Sequence, residues 1–288
     1  MGSTLARIAQ KEFHTFATYH HHALSISGCQ CLPLDVTNSE RVTSTMETIN
    51  PEIVFHAAEL SNVDYCETHS LEAWAANVEG TDNIARAAKR TGAKLIYIST
   101  DSVFNGEKGT YREEDLTHPL NVYASTKLEG EKKVMHYAPG SIVVRTAYYG
   151  WNLHAGSSSA ESIVLSLRQG KALTMFTDTV SSPVLADNLA EVLLEVGTSH
   201  STGIFHIGAP DKCSQYQFGL ELACQFGFRS ELIHPSNLAE SKLMGRRGKD
   251  LSLDSSKVRG ATKTPILGLR DGIARFKELG DALYSCTR

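Results

Sequence analysis

The chain has 288 residues, of which 41% are hydrophobic, and a formal net charge of −4. This length and composition predict one large or two small globular domains with a sizeable core. The lack of a basic excess argues against a nucleic-acid partner, and no apolar run reaches the roughly 20 residues that span a bilayer. With no signal-peptide core at its start, we predict a cytoplasmic protein that does not associate with membranes.

Cysteine and histidine spacing indicates neither disulfides nor a metal site. The six cysteines are scattered, with no Cys-x-x-Cys pair, and we expect reduced thiols. The run His20-His21-His22 has no second ligand pair spaced to join it. Because adjacent side chains point in different directions, a solvated turn is the better interpretation, and no metal is predicted.

Strands and helices alternate in the first half of the chain. Helices are predicted over 3–10, 38–49, 71–91 and 123–137, and strands over 15–19, 29–34, 52–58, 94–98 and 141–146. Asn38 is a candidate N-cap, and Gly92 is placed where a helix commonly ends in a left-handed residue. This alternation is typical of a parallel α/β sheet.

The second half is less regular. A flexible loop is predicted over 156–159, helices over 161–169 and 187–196, strands over 171–176 and 204–207, and mostly short helices thereafter. We therefore predict a cofactor domain over 1–150, with a return segment near 178–208, and a smaller α/β substrate domain over 151–288.

Two short stretches carry the candidate chemistry. Tyr123 and Lys127 lie four residues apart on a predicted helix, so both side chains can point into one cleft. A neighbouring ammonium favours the phenolate, and Lys127 is expected to bring the pKa of Tyr123 towards neutrality, as an acid/base requires. The buried strand before this helix ends at Ser99-Thr100-Asp101, and doubly wound sheets bind ligands at that end of their strands.

Several motifs in order resemble the extended short-chain dehydrogenase/reductases, and within them the dTDP-4-dehydrorhamnose reductase family. The motifs, which cover nearly the whole chain, are Leu34-Asp35-Val36-Thr37, Val54-Phe55-His56-Ala57-Ala58, Asn77-Val78-Glu79-Gly80-Thr81, Ser99-Thr100-Asp101, Pro119 to Glu131 around Tyr123 and Lys127, Arg145 to Gly150, and Arg247 to Lys257. The resemblance implies a Rossmann-like doubly wound parallel sheet.

The resemblance also implies a reaction and a set of site residues. NADPH, or NADH, would deliver hydride to the C4 ketone of a dTDP-linked 6-deoxy-4-ketohexose, with Thr100, Tyr123 and Lys127 as the catalytic residues. Cofactor contacts are implied for Gly2, Asp35, Val36, Ala57, Ala58, Asn77, Tyr123 and Lys127. Substrate contacts are implied for Thr100, Asp101, Tyr148 and Arg247. The expected partners are the sugar nucleotide and, as one option, a second copy of the chain in a homodimer.

The chain departs from the family pattern at its start. The family begins with a strand and a glycine-rich loop that holds the cofactor pyrophosphate, whereas Gly2 here aligns with the last glycine of that loop. We therefore expect a sheet without its central first strand, and a chain that is a fragment starting too late. No acidic residue follows the predicted strand 15–19, which favours NADPH over NADH.

Two other functions remain open from the sequence. One is a sugar-nucleotide epimerase or dehydratase of the same superfamily, which would consume no NADPH overall. The other is a non-catalytic regulatory subunit, since the β subunit of methionine adenosyltransferase resembles this family.

Overall fold

Helices and strands alternate along much of the chain. The computed structural model describes residues 1–152 and 158–285, with side chains to residue 281. The helices are α1 Gly2–Ala9, α2 Ser39–Ile49, α3 Val63–Thr68, α4 Ser70–Trp74, α5 Gly80–Thr91, α6 Val122–Tyr137, α7 Ser159–Arg168, α8 Ala186–Thr198, α9 Gln215–Phe226, α10 Ser256–Ala261 and α11 Leu269–Ser285. The strands are β1 Thr15–Tyr19, β2 Cys29–Pro33, β3 Ile53–His56, β4 Lys94–Thr100, β5 Ile142–Thr146, β6 Tyr148–Tyr149, β7 Leu173–Phe176, β8 Val180–Ser181, β9 Val184–Leu185, β10 Gly203–Ile207, β11 Cys213–Ser214 and β12 Ile233–Ser236.

The largest sheet has 4 parallel strands in the order β10-β5-β4-β3. β5 is buried along its whole length, which is typical of parallel strands covered on both faces. Ile96 and Ile98 of β4 pack on one face against α1 and α8. Leu95 and Tyr97 pack on the other face against α2 and α5. These two cores confirm the predicted doubly wound, Rossmann-like fold.

β1 and β2 form a separate 2-stranded parallel sheet. Among the residues that the structure describes, β1 pairs with β2 and β3 pairs with β4, and no pairing joins β1 to β3. The parallel strands of the first half therefore form two sheets instead of one. This is the break that a missing central strand predicts.

The helical region before β4 contains a π-helical turn, Ala75–Glu79, between α4 and α5. The sequence predicted one helix over 71–91, and the three segments are contiguous from Ser70 to Thr91. Gly92 ends α5 with a φ of 75°, and its N–H donates to Ala88. π turns inside helices are frequent at functional sites.

The second half builds its own core from aromatic side chains. Tyr149, Trp151, Phe218 and Phe276 are buried together, and Trp151 Nε1 donates to the carbonyl of Phe276 at 2.7 Å. The prediction of mostly short helices after residue 208 was wrong, because α9 has 12 residues and α11 has 17. Of the predicted loop 156–159, residues 156 and 157 lie outside the described residues, and Ser158 caps α7.

The predicted return segment includes β10, which pairs with β5 in the first sheet. The domain division at residue 150 stays a prediction. No helix in the described part of the chain is long and apolar enough to cross a membrane.

Candidate active site

An asparagine cap fixes the start of α6 and so the positions of its first two turns. Asn121 Oδ1 accepts from the backbone N–H of Ala124 at 2.8 Å, and Asn121 Nδ2 donates to the carbonyl of Arg246. The second contact holds the cap against a late segment of the chain. Tyr123 and Lys127 are then carried on successive turns, and both are buried.

The Lys127 ammonium is enclosed by three partners. Its Nζ donates to the carbonyl of Ile98 at 2.7 Å, lies 4.3 Å from the ring centroid of Tyr97, and forms an ion pair with Glu59 Oε2 at 2.9 Å. Burial disfavours the charged amine, but the Glu59 carboxylate and the Tyr97 phenol outweigh it and raise the pKa of Lys127. Lys127 is therefore a fixed positive charge beneath the site.

The same carboxylate contacts Tyr123, whose hydroxyl donates to Glu59 Oε2 at 3.2 Å. Burial, and then the charge of Glu59, raise the pKa of Tyr123 well above its ordinary value, although hydrogen bonding with Thr100 opposes them. The expectation that Lys127 brings this pKa towards neutrality was wrong. The main physical reason is that the phenol is buried, and the negative charge of Glu59 beside it raises its pKa further.

Thr100 and Asp101 lie at the carboxyl end of β4, beside Tyr123. The Thr100 hydroxyl accepts from the N–H of Ser102 at 3.1 Å and donates to Asp101 Oδ1 at 3.2 Å. Burial raises the pKa of Asp101 to about 6, against hydrogen bonds from Ser102 and Thr100 that favour its ionised form. The strand end thus supplies a hydroxyl and a carboxyl that titrates near neutrality.

Asn77, on the π-helical turn, connects two parts of the site. Its Oδ1 accepts from Leu60 N at 2.7 Å, and its Nδ2 donates to Thr126 Oγ1 at 3.0 Å. Thr126 in turn donates to the carbonyl of Tyr123 at 2.7 Å. Asn77 therefore ties the segment after β3 to the helix that carries Tyr123.

Two of the predicted cofactor positions meet at the start of α1. A Cβ at Gly2 would lie 3.8 Å from the Cβ of Ala57, so the first turn of α1 faces the end of β3. Ala58 follows as a small exposed residue. The helix N-terminus and small side chains leave room there for an anionic group to approach the backbone.

Asp35 and Val36 follow β2 at the same edge. Asp35 Oδ1 accepts from the backbone and hydroxyl of Thr37 at 2.9 and 2.8 Å, and these hydrogen bonds lower the pKa of Asp35. Val36 lies against Gly80, where a Cβ would be 2.7 Å from Val36 Cγ2. Asp35, Ala57 and Thr100 therefore mark the carboxyl ends of β2, β3 and β4, where doubly wound sheets bind their ligands.

A comparison with protein-family models matches the RmlD substrate binding domain over residues 1–279. The chain belongs to the RmlD substrate-binding domain family. A dTDP-4-dehydrorhamnose reductase from Aggregatibacter actinomycetemcomitans is 29% identical over 241 residues, 79% of this chain and 81% of that protein. Methionine adenosyltransferase 2 subunit beta from Bos taurus is 28% identical over 288 residues, 94% of this chain and 85% of that protein.

A solved structure supports the fold assignment within the RmlD family. The crystal structure of dTDP-4-dehydrorhamnose reductase from Bacillus anthracis, in complex with NADP, has a TM-score of 0.83 and 24% identity, and the match covers 96% of each chain. At this identity the likeness establishes the fold alone.

Two predicted substrate residues lie on different elements around the candidate site. Tyr148, on β6, is close enough to Tyr123 to raise its pKa. Arg247 is held by Asp64 of α3, with Nη2 and Oδ1 3.0 Å apart, and Asp64 also accepts from the N–H of Gly245 at 3.0 Å. Through Asp64, the late segment that carries Arg247 is thus held against α3.

Glu59 is the residue that the sequence reasoning missed. It directly follows the motif that ends at Ala58, and a carboxylate just after a strand of a doubly wound sheet was the signal available for it. Its distance from Tyr123, 64 positions later in the chain, is set by the packing of α6 and not by local spacing.

Proposed function

We propose that the protein is a reductase that uses NADPH, or NADH, to reduce the C4 ketone of a dTDP-linked 4-keto-6-deoxyhexose. The observation that carries this proposal is the meeting of the Tyr123 phenol, the Lys127 ammonium and the Thr100 hydroxyl at the carboxyl end of β4. Membership of the RmlD family and the similarity to a dTDP-4-dehydrorhamnose reductase support the substrate class.

The residues present fit a dinucleotide at its nicotinamide end. Glu59 offers an acceptor for a ribose hydroxyl, while the buried Lys127 ammonium, which already donates to Ile98, supplies the counter-charge of that carboxylate. At the other end, the first turn of α1 beside Ala57 is where a pyrophosphate would bind. When bound, the reduced nicotinamide supplies the hydride.

The chain's own groups hold the substrate and move the proton. The Tyr123 hydroxyl donates its proton to the ketone oxygen as negative charge develops there, and the Thr100 hydroxyl donates a hydrogen bond to the same oxygen. Asp101, beside Thr100, is proposed to bind a sugar hydroxyl. Tyr148 and Arg247 are proposed to contact the sugar nucleotide from the outer side of the site.

The choice between NADPH and NADH depends on the groups that face the adenosine ribose. His20 follows β1, and its Nε2 lies 3.6 Å from Asp35 Oδ2. We propose NADPH as the preferred cofactor, with the imidazoles after β1 near its 2′-phosphate. A lower KM for NADH than for NADPH would contradict this preference.

The experiment is a comparison of Tyr123→Phe with the parent chain. NADPH oxidation is followed with a dTDP-4-keto-6-deoxy sugar, and we expect a loss of about 10²-fold or more in kcat, as for removal of a general acid. NADPH binding, measured by fluorescence, should be retained. Tyr137→Phe is the matched control, because it removes a hydroxyl from the far end of the same helix, where Arg86 donates to it at 2.7 Å.

Unchanged turnover in Tyr123→Phe would remove this residue from the mechanism. Turnover of the sugar with no net consumption of NADPH would favour an epimerase or dehydratase instead.

A second function is favoured by one comparison. The similarity to a subunit of methionine adenosyltransferase extends over 94% of the chain, so a non-catalytic subunit is the alternative. Co-purification with a methionine adenosyltransferase catalytic chain, together with no turnover of any keto-sugar nucleotide, would support it.

A further inference from the structure

One carboxylate oxygen lies between the two residues of the Tyr-x-x-x-Lys pair. Glu59 Oε2 is 2.9 Å from Lys127 Nζ and 3.2 Å from the Tyr123 hydroxyl. The Glu59 side chain is 17% exposed and that of Lys127 is 1% exposed, so the ion pair is shielded from solvent. Lys127 thus has its counter-charge within the protein, before any ligand binds.

Lys127 is the cation that forms the ion pair with Glu59. The other groups that titrate and face this trio are the phenols of Tyr97 and Tyr148, the His56 imidazole, the Cys66 thiol and the amino group of Met1. Burial lowers the pKa of His56 to about 3 and raises that of Cys66 to about 11, so both are neutral near pH 7. Burial also lowers the pKa of the Met1 amino group.

We propose that Glu59 is a positioning residue that neutralises Lys127 and keeps the Tyr123 phenol in its proton-bearing form. This inference rests on the proposed function and adds to it the residue that sets the protonation state of the proposed acid. A phenolate formed next to Glu59 would place two negative charges beside one ammonium, so the phenol takes up a proton readily after each turnover. At neutral pH the resting site therefore holds the phenol in the protonated form that reduction of a ketone consumes.

The proposal is consistent with the chemistry of the reduction. Hydride from the reduced nicotinamide forms the new C–H bond at the ketone carbon, and the Tyr123 O–H bond breaks to protonate the oxygen. An alkoxide is a much stronger base than a phenolate, so even a phenol of weakened acidity protonates it. The resulting phenolate then recovers a proton from solvent.

A titration without substrate tests the proposal separately from the proposed function. The near-ultraviolet tyrosinate signal of Tyr123→Phe is subtracted from that of the parent chain across the pH range, which isolates the ionisation of Tyr123. The same subtraction is made in a Glu59→Gln background. We expect Tyr123 to ionise about one to three pH units lower there than in the parent. Equal ionisation in the two backgrounds would overturn the proposal, whether or not the protein reduces a sugar.

Two further variants make the result specific. Glu40→Gln removes the same charge from the exposed start of α2, and we expect no shift in the Tyr123 signal. Glu59→Gln/Lys127→Met leaves no buried ammonium without a counter-charge and so serves if Glu59→Gln alone does not fold. In this double variant, Tyr123 should ionise at a lower pH than in Lys127→Met, where the Glu59 carboxylate remains. Ionisation at the same or a higher pH would contradict the role of Glu59.

Discussion

Gly130 lies on α6 where this helix crosses β4, and its replacement by alanine tests how closely the catalytic helix is held. A Cβ at Gly130 would collide with the Tyr97 hydroxyl and lie 3.0 Å from the backbone carbonyl of Asn77. Tyr97 is fully buried and Asn77 is on the π-helical turn, so neither has free space to move into. The helix itself must shift, and Tyr123 and Lys127 shift with it.

Two opposing contributions set the size of the effect. Replacing glycine by alanine inside a helix stabilises it by about 1 kcal/mol. Overpacking a close contact costs about 1 to 3 kcal/mol, and here two rigid neighbours are involved. We therefore expect Gly130→Ala to lower the free energy of unfolding by about 1 to 2 kcal/mol, and to lower kcat because the phenol moves away from Thr100.

Urea unfolding followed by circular dichroism measures the stability change. Gly260→Ala in α10 is the control, because in the described residues only its chain neighbours and the backbone of its own helix could lie within 4 Å of its Cβ position. It should stabilise the protein by about 0.5 to 1 kcal/mol. A Gly130→Ala variant that is as stable as Gly260→Ala, with unchanged kcat, would refute the close approach of α6 to β4.

Three further predictions concern buried side chains that can carry a charge. Arg145 forms a buried ion pair with Glu131, with Nη2 and Oε2 2.7 Å apart, so Arg145→Met should lower the free energy of unfolding in urea by about 3 to 5 kcal/mol. Adding Glu131→Gln should recover most of this loss, and no recovery would contradict the pairing. Burial lowers the pKa of His56 to about 3, so its contribution to stability is present above about pH 6.5 and is lost as pH falls towards 3, by up to about 1.4 kcal/mol per pH unit. His56→Gln should show a shallower loss between pH 6.5 and 4.5, and an identical slope would count against a buried neutral imidazole. The pH dependence expected for Asp101 runs the other way, because burial raises its pKa to about 6. Its contribution to stability is present below about pH 4 and is lost as pH rises through 6. The change in the free energy of unfolding caused by Asp101→Asn should therefore be more favourable at pH 7 than at pH 4. The reverse order would show that the carboxyl is not buried in a neutral form.

The sequence predicted the doubly wound part of the fold because its strands are apolar runs with clear ends. β4 and β5 are buried and contain the apolar runs 95–98 and 142–144, while Asn38 and Gly92 mark helix ends through local hydrogen bonds. These signals lie within a few residues of one another. The later helices α9 and α11 were harder to predict, because their buried faces are defined only by a core that they form together.

The sequence predicted individual residues of the candidate site but not the charge interactions between them. The spacing of Tyr123 and Lys127 correctly predicted that both lie in one buried region. The direction of the Tyr123 pKa shift depended on how deeply the phenol is buried and on Glu59, which approaches from another strand end. Local spacing carries no information about which distant charge packs against a helix. The roles of the predicted cofactor and substrate residues stay predictions.

The most direct test of the reductase proposal follows the hydride itself. The protein is incubated with a dTDP-4-keto-6-deoxyhexose and NADPH that carries deuterium at the transferred position, and the sugar product is analysed by mass spectrometry and NMR. We expect one deuterium at C4 for each NADPH consumed, and about 10²-fold less product from Tyr123→Phe in the same time. A product without deuterium at C4, or no product from the parent chain, would contradict the account.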